Sequence, residues 1–159
     1  APLAAWKAEA TALWPEFAAF LSGITDHEQM SMARYSHGTL RRPYSARLVH
    51  IGDAAHRASP QLGQGANMAL LDAYALSVAL GKCAPETALR AYHHSRRVHT
   101  GIYQAMSWAF TPMYQSSSRL LPFIRDYVTA PIGTLPVISS GLTALVKGTM
   151  CAPVREFDV

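Results

Sequence analysis

The stretch HIGDAAHRASPQLGQGANMALLD, residues 50–72, decides how this chain reads. Leu48, Val49 and Ile51 make a short apolar run suited to a buried strand, and Gly52-Asp53 ends it with a turn that exposes one carboxylate. Asp53 is suited to accept hydroxyl hydrogen bonds from a ligand, or else to cap the turn that follows it. Beyond Pro60, Gly63 and Gly65 flank Gln64, so the backbone is expected to take positive φ and to approach a flat ligand with no side chain in the way. A helix is predicted from about Ala66, its free N–H groups carrying about half a positive charge toward whatever lies over the loop. Asn67 adds an amide that both donates and accepts. Strand, acidic turn, glycine loop and helix start together suit an anionic or electron-accepting ligand. The alternative is a strand–turn–helix corner that binds nothing.

Gly52-Asp53-Ala54-Ala55-His56, Pro60, Gly63-Gln64-Gly65-Ala66-Asn67 and Asp72-Ala73 resemble the second flavin-binding motif of the FAD-dependent aromatic hydroxylases, the para-hydroxybenzoate hydroxylase-like monooxygenases. Arg34-Tyr35 through Pro43-Tyr44 resembles the segment that leads into that strand. Ala91-Tyr92 to Arg96-Arg97 resembles the family's Tyr-x-x-x-Arg-Arg helix, with His93 departing where an acidic residue commonly follows the tyrosine. The resemblance covers about residues 30–110. It implies an α/β, Rossmann-like FAD/NAD(P)-binding fold, of which this chain carries a mostly helical piece with a few strands. It also implies FAD as cofactor, NADH or NADPH as reductant, and oxygen transfer to an aromatic or similar small molecule. By the same resemblance Asp53 serves the flavin ribityl chain, and Gly52 beside it is a cofactor-binding residue. Pro60, Gly63, Gln64 and Gly65 run along the ring edge, and Ala66 and Asn67 lie near the pyrimidine carbonyl. Two alternatives stay open: another FAD enzyme of this fold, halogenase or dehydrogenase-like, and a helical interaction module that binds no FAD. No side chain is singled out as an acid or base.

The family's opening Gly-x-Gly-x-x-Gly turn, which holds the FAD pyrophosphate, is not found among the ten glycines. Gly63-x-Gly65-x-x-Met68 fails at its last position. The chain also opens on Ala1-Pro2. It is therefore expected to be the C-terminal portion of a longer flavoenzyme that binds FAD weakly or not at all alone, and that pairs with a missing N-terminal half or with itself. The expected divisions are residues 1–45, the end of a substrate domain with its connecting strand; residues 46–110, the C-terminal part of the FAD-binding domain; and residues 111–159, a helical tail.

The chain has 159 residues, long enough to bury about 70% of its unfolded surface in one core. It is 50% hydrophobic and only 15% charged, with a net charge of +4. Lys and Arg are dispersed, Arg41-Arg42 and Arg96-Arg97 being the only adjacent pairs, so nucleic acid is not an expected partner. Cys83 and Cys151 form no Cys-x-x-Cys pair, and His93, His94 and His99 have no ligand-type neighbour at helical spacing, so no metal or disulfide is expected. With no signal-peptide pattern, and with Pro131 to Val146 short and broken by Gly133, Pro136 and Gly141, a cytoplasmic chain with no membrane span is expected.

The apolar spacing predicts helices over 3–13 and 15–21 that share a face of Trp6, Leu13, Trp14, Phe17 and Leu21, then a strand over 30–35. A helix over 66–80 is predicted to bury Ala66, Ala69, Leu70, Ala73, Leu76 and Leu80, and to stop at Gly81. Pro85 starts a helix expected to run to about Ala109 and to break at Pro112. Later helices are predicted over 120–128 and 135–146. Asp72 is read as a structural hydrogen-bonding group, His56 as either a satisfied local bond or a functional group, and Tyr92 with Arg96 as packing and ion pairing.

Overall fold

The computed structural model describes residues 2–33, 35–152 and 154. Two compact units divide at Arg34 and Tyr35. In the first, α1 (Leu3–Leu13) ends where Trp14 turns extended, and Pro15 opens a 3-10 turn that runs into α2 (Ala18–Leu21). The expected common apolar face does not form: Leu21 is buried, whereas Leu13 and Trp14 are exposed. The Trp14 and Phe17 rings stack on each other instead, with centroids 5.2 Å apart. Asp26 and Gln29 close a capping box around the turn at 27–29, Asp26 accepting from Glu28 N–H at 2.9 Å. Residues 30–33 are not the predicted strand, and Met32 is exposed; alternation alone makes no strand without a neighbour to complete its ladder. The predicted strand's Arg34 lies outside the described residues.

The second unit begins with β1 (Gly38–Thr39), which bridges antiparallel to Arg57 and His56. The strand expected at Leu48–Ile51 is reduced to one bridge between Tyr44 and Val49, for the same want of a neighbouring ladder. Its apolar side chains are nonetheless used: Val49 and Ile51 pack on Ala75, Ala79 and Tyr92. Gly52 follows at φ +55°, where a Cβ would also stand 3.0 Å from that of Ala69, and the chain turns into the single-turn helix α3 (Asp53–His56).

Two long helices carry the unit. α4 (Gly65–Lys82) packs along α5 (Pro85–Tyr114), across a two-residue link. The buried face of α4 is Met68, Asp72, Ala75 and Ala79, while Leu70 and Leu80 are exposed, so the predicted stripe is out by a rotation about the helix axis. A carboxylate fixes the phase: Asp72 is satisfied from several sides inside the unit, and the small residues above it let α5 come close. α4 also runs past Gly81 to Lys82, because that glycine keeps helical backbone. α5 continues through Pro112 to Tyr114, the proline removing one N–H near the helix end without stopping it.

Beyond α5, α6 (Leu120–Ile124), a π-helical stretch (Arg125–Thr129) and α7 (Ala130–Gly133) run on, with Pro131 in the first turn of α7, where it is tolerated. α8 (Pro136–Val146) follows and buries Leu145 against Met68 and Tyr103. Burying a side chain such as Leu145 or Met68 stabilises the packing by about 1.5–3 kcal/mol. Among the described residues no single helix is long and apolar enough to cross a membrane, and the segments 120–133 and 136–146 are bent by 104° at their junction.

Candidate functional site

α3, the loop after it and the first turn of α4 face the middle of α5 across a cavity of about 350 Å³. Asp53, Pro60, Gly63, Gln64 and Gly65 stand on its wall, opposite Tyr103, Gln104 and Ser107 of α5. Three of the residues singled out from the sequence do not line it. Gly52 lies one residue behind Asp53, Ala66 is exposed on α4, and the Asn67 amide turns to Gln64, donating to its Oε1 at 2.8 Å.

The loop takes its shape from Pro60 and Gly63. Pro60 opens a 3-10 turn that closes at Gly63, whose φ is +63°. Gly65 does not share that conformation: it is the first helical residue of α4. A Cβ at Gly63 or Gly65 would meet nothing within 4 Å, so this rim is open. The first intrahelical acceptor at this end is Gln64 C=O, which takes Met68 N–H at 2.8 Å. The N–H groups of Gly65, Ala66 and Asn67 precede it, so the positive end of α4 lies at the cavity edge. Asp53 is exposed in the first turn of α3, and its carboxylate has no side-chain partner among the described residues.

Polar side chains of α5 hold the loop from below. Gln104 Nε2 donates to His56 C=O at 2.6 Å and to Arg57 C=O at 3.1 Å, Ser107 Oγ donates to Ser59 C=O at 3.0 Å, and Thr111 Oγ1 reaches Gln61 Oε1 at 3.3 Å. The buried Ser59 Oγ has no partner among the described residues.

Behind the wall lies Asp72, with no exposed surface. It accepts Gly52 N–H at 2.9 Å, His56 Nε2–H at 2.5 Å and Arg96 Nε–H at 2.7 Å. Burial alone would push this carboxyl up; the bonds from His56, Arg96 and Gly52 outweigh it and hold it below the usual carboxylate range. Burial pushes the Tyr92 hydroxyl up, and the Asp72 charge adds to that. Arg96 goes on to His99, its Nη1 lying 3.1 Å from Nδ1, while His99 Nε2 lies 3.1 Å from Gly148 C=O. A carbonyl only accepts, so His99 carries its proton on Nε2 and offers a bare Nδ1 to the guanidinium. Burial is the main reason that His99 titrates below an ordinary histidine, with the Arg96 charge assisting and the Gly148 bond opposing. The structural reading of Asp72 and the ion pairing of Arg96 thus have direct partners.

The C-terminal turn closes the same region. Tyr103 OH donates to Leu145 C=O at 2.8 Å, and Gln64 Nε2 donates to Val146 C=O. Nothing in the motif pattern pointed to this turn. The α5 contribution had a faint signal, the polar spacing Gln104, Ser107 and Thr111 on one helix face. Chemically the site offers a lone carboxylate for hydroxyls, an open glycine rim for a planar group and a helix N-terminus for developing negative charge.

Residues 4–105 match the family model described as FAD binding domain. Over 141 residues the chain is 34% identical to the FAD-dependent monooxygenase janM of Penicillium janthinellum, a match spanning 79% of this chain and 29% of that protein. It is 30% identical over 112 residues to a 3-(3-hydroxy-phenyl)propionate/3-hydroxycinnamic acid hydroxylase of Burkholderia cenocepacia, spanning 65% and 21%. It is also 43% identical over 68 residues to a kynurenine 3-monooxygenase of Salinispora tropica, spanning 42% and 15%. The chain thus spans less than a third of the length of these curated relatives. No solved structure matches it.

Proposed function

The chain belongs to the FAD binding domain family of FAD-dependent, aromatic-hydroxylase-like monooxygenases, and we propose that its cavity forms the ribityl and ring-edge side of the FAD site in such an enzyme. The observation that carries this is the Asp53 carboxylate, without a side-chain partner among the described residues, on the same wall as the open Gly63–Gly65 rim and the start of α4. Those groups fit the cofactor: a polyhydroxyl chain needs acceptors, a flat ring needs backbone without side chains, and a ring that gains negative charge needs donors. Asp53 accepts from ribityl hydroxyls. Pro60 and Gly63 to Gly65 border the ring, and the N-terminal amides of α4, Ala66 and Asn67 among them, lie nearest its pyrimidine edge and favour its reduced, more negative form. Gly52 supports Asp53 from behind, with its N–H held by Asp72.

Bound FAD, reduced by NADH or NADPH, supplies the oxygen-activating chemistry with which the whole enzyme hydroxylates an aromatic or similar small molecule. The greater length of the relatives supports placing the pyrophosphate site and the substrate sheet in the rest of that enzyme. In this reading residues 1–45 close the substrate domain, 46–110 belong to the FAD domain, 111–159 form a helical tail, and the enzyme is cytoplasmic.

A titration of FAD into the 159-residue chain, followed by flavin fluorescence and thermal stability, tests the reading, with Asp53→Ala beside it. Weak, saturable binding is expected. The variant loses charge-assisted bonds worth about 1.5–3 kcal/mol, or about 10- to 100-fold in affinity, at unchanged stability. Equal affinity in the two chains would remove Asp53 from the site, and no binding by either chain would remove the site from this chain alone.

A further inference from the structure

The Gln64 and Asn67 side chains are held from outside the glycine loop. Gln64 is pinned through its Nε2 to Val146 C=O, and its Oε1 accepts from Asn67, so one C-terminal carbonyl orders two amides in series. The turn that presents this carbonyl is itself fastened twice to α5, by Tyr103 on Leu145 and by His99 on Gly148. Gly148 is buried, sits at φ +78°, and approaches so closely that a Cβ there would stand 2.7 Å from Asn67 Nδ2 and 3.2 Å from Gln64 Oε1.

From this we infer that the turn at residues 146–148 is a clasp that positions the Gln64 amide on the cavity wall, with Asn67 bracing Gln64 and Gly148 as the positioning residue. The inference rests on the FAD reading above, and gives the C-terminal segment a part in it. Three properties of Gly148 act together: its positive φ bends the chain back over the loop, its missing Cβ leaves room for the Asn67 amide, and its carbonyl accepts the hydrogen bond from His99 Nε2–H. A side chain at 148 has to displace Asn67 or lift the turn, and either movement releases Gln64 from Val146. The pocket's amide edge is then set by residues some 80 positions away in sequence.

The test compares the wild-type chain, Gly148→Ala, Asn67→Ala and the double variant. Each is measured for FAD affinity, for the absorption spectrum of bound flavin, for melting temperature, and for the side-chain amide resonances of Gln64 and Asn67 without FAD. Gly148→Ala is expected to shift both amide resonances and to weaken FAD about tenfold. In the Asn67→Ala background the same substitution lowers the melting temperature but changes FAD affinity little, because the amide it displaces is gone. A purely structural role would move the melting temperature and leave the flavin spectrum and the amide resonances in place. Unchanged resonances and affinity in Gly148→Ala, or an equal affinity loss in both backgrounds, overturn the clasp. No FAD binding by the wild type is a failure of the cofactor reading instead; the resonances of the FAD-free chain then judge the clasp separately, and unshifted ones overturn it. Should Gly148→Ala not fold, Tyr103→Phe, which releases Leu145 C=O, is expected to shift the Gln64 amide, and an unmoved signal overturns the clasp.

Discussion

Replacing Asp72 with alanine removes the acceptor on which three elements converge: the Gly52 turn, α3 through His56, and α5 through Arg96. The largest consequence is electrostatic. Arg96 is 2% exposed, and without the carboxylate its guanidinium loses the buried ion pair that Asp72 makes with it. Breaking a buried pair from one side costs about 3–5 kcal/mol, against a total stability of about 5–15 kcal/mol for an ordinary domain. At about 2–4 °C per kcal/mol for a chain of this size, the melting temperature falls by about 6–20 °C. Asp72→Asn keeps the shape and one acceptor oxygen and falls between the two. Urea unfolding followed by circular dichroism measures the loss. Replacing both partners, as in Asp72→Leu with Arg96→Met, removes the charge along with its counterion and is expected to recover much of it. A loss below about 0.5 kcal/mol in Asp72→Ala, the range of an ordinary surface change, would refute the central place given to this carboxylate.

Two further outcomes follow from buried groups. His99 titrates below its ordinary 6.5, so the unfolded chain takes up the proton first: its contribution is complete above about pH 6.5 and is lost as pH falls through the folded pKa. Urea midpoints between pH 8 and 5 are expected to drop on the acid side, and His99→Gln to flatten that slope; a wild-type midpoint level across this window would contradict the assigned neutral ring. Ser59→Ala removes a buried hydroxyl without a partner among the described residues and is expected to stabilise the chain by about 0.5–1 kcal/mol, seen as a raised melting temperature, where a lowered one would mean the hydroxyl is satisfied.

What the sequence showed and what it hid divide along a physical line. Local chemistry was legible: the turn at Gly52, the positive φ of Gly63, the start of α4 within a residue, and the starts of α1 and α5 all follow from glycine and proline acting on their own neighbours. The FAD binding domain family was legible too, because its motif is an extended ordered run. The buried face of α4 was not. Apolar counting chose Leu70 and Leu80, whereas the helix turned to satisfy Asp72, and no period calculation weighs one carboxylate with three donors above two leucines. The strands at 30–35 and 48–51 failed because a strand is completed by its neighbours, and the described chain offers them little ladder. The C-terminal turn was invisible for a related reason: it works through backbone carbonyls of Leu145, Val146 and Gly148, which leave no mark in side-chain pattern.

α5 has a consequence for how this region tolerates change. His99 and Tyr103 grip the C-terminal turn, while Gln104, Ser107 and Thr111 grip the loop, so two segments far apart in sequence hang from one rod. From His99 to Thr111 that rod spans about 18 Å at about 1.5 Å per residue. Exchanging a single side chain loosens one attachment and leaves the others in register. Adding or deleting one residue between Tyr103 and Gln104 rotates every later attachment by about 100° against every earlier one, so the helix resists insertion far more than substitution, as a key resists a change in the spacing of its teeth more than wear on any one of them.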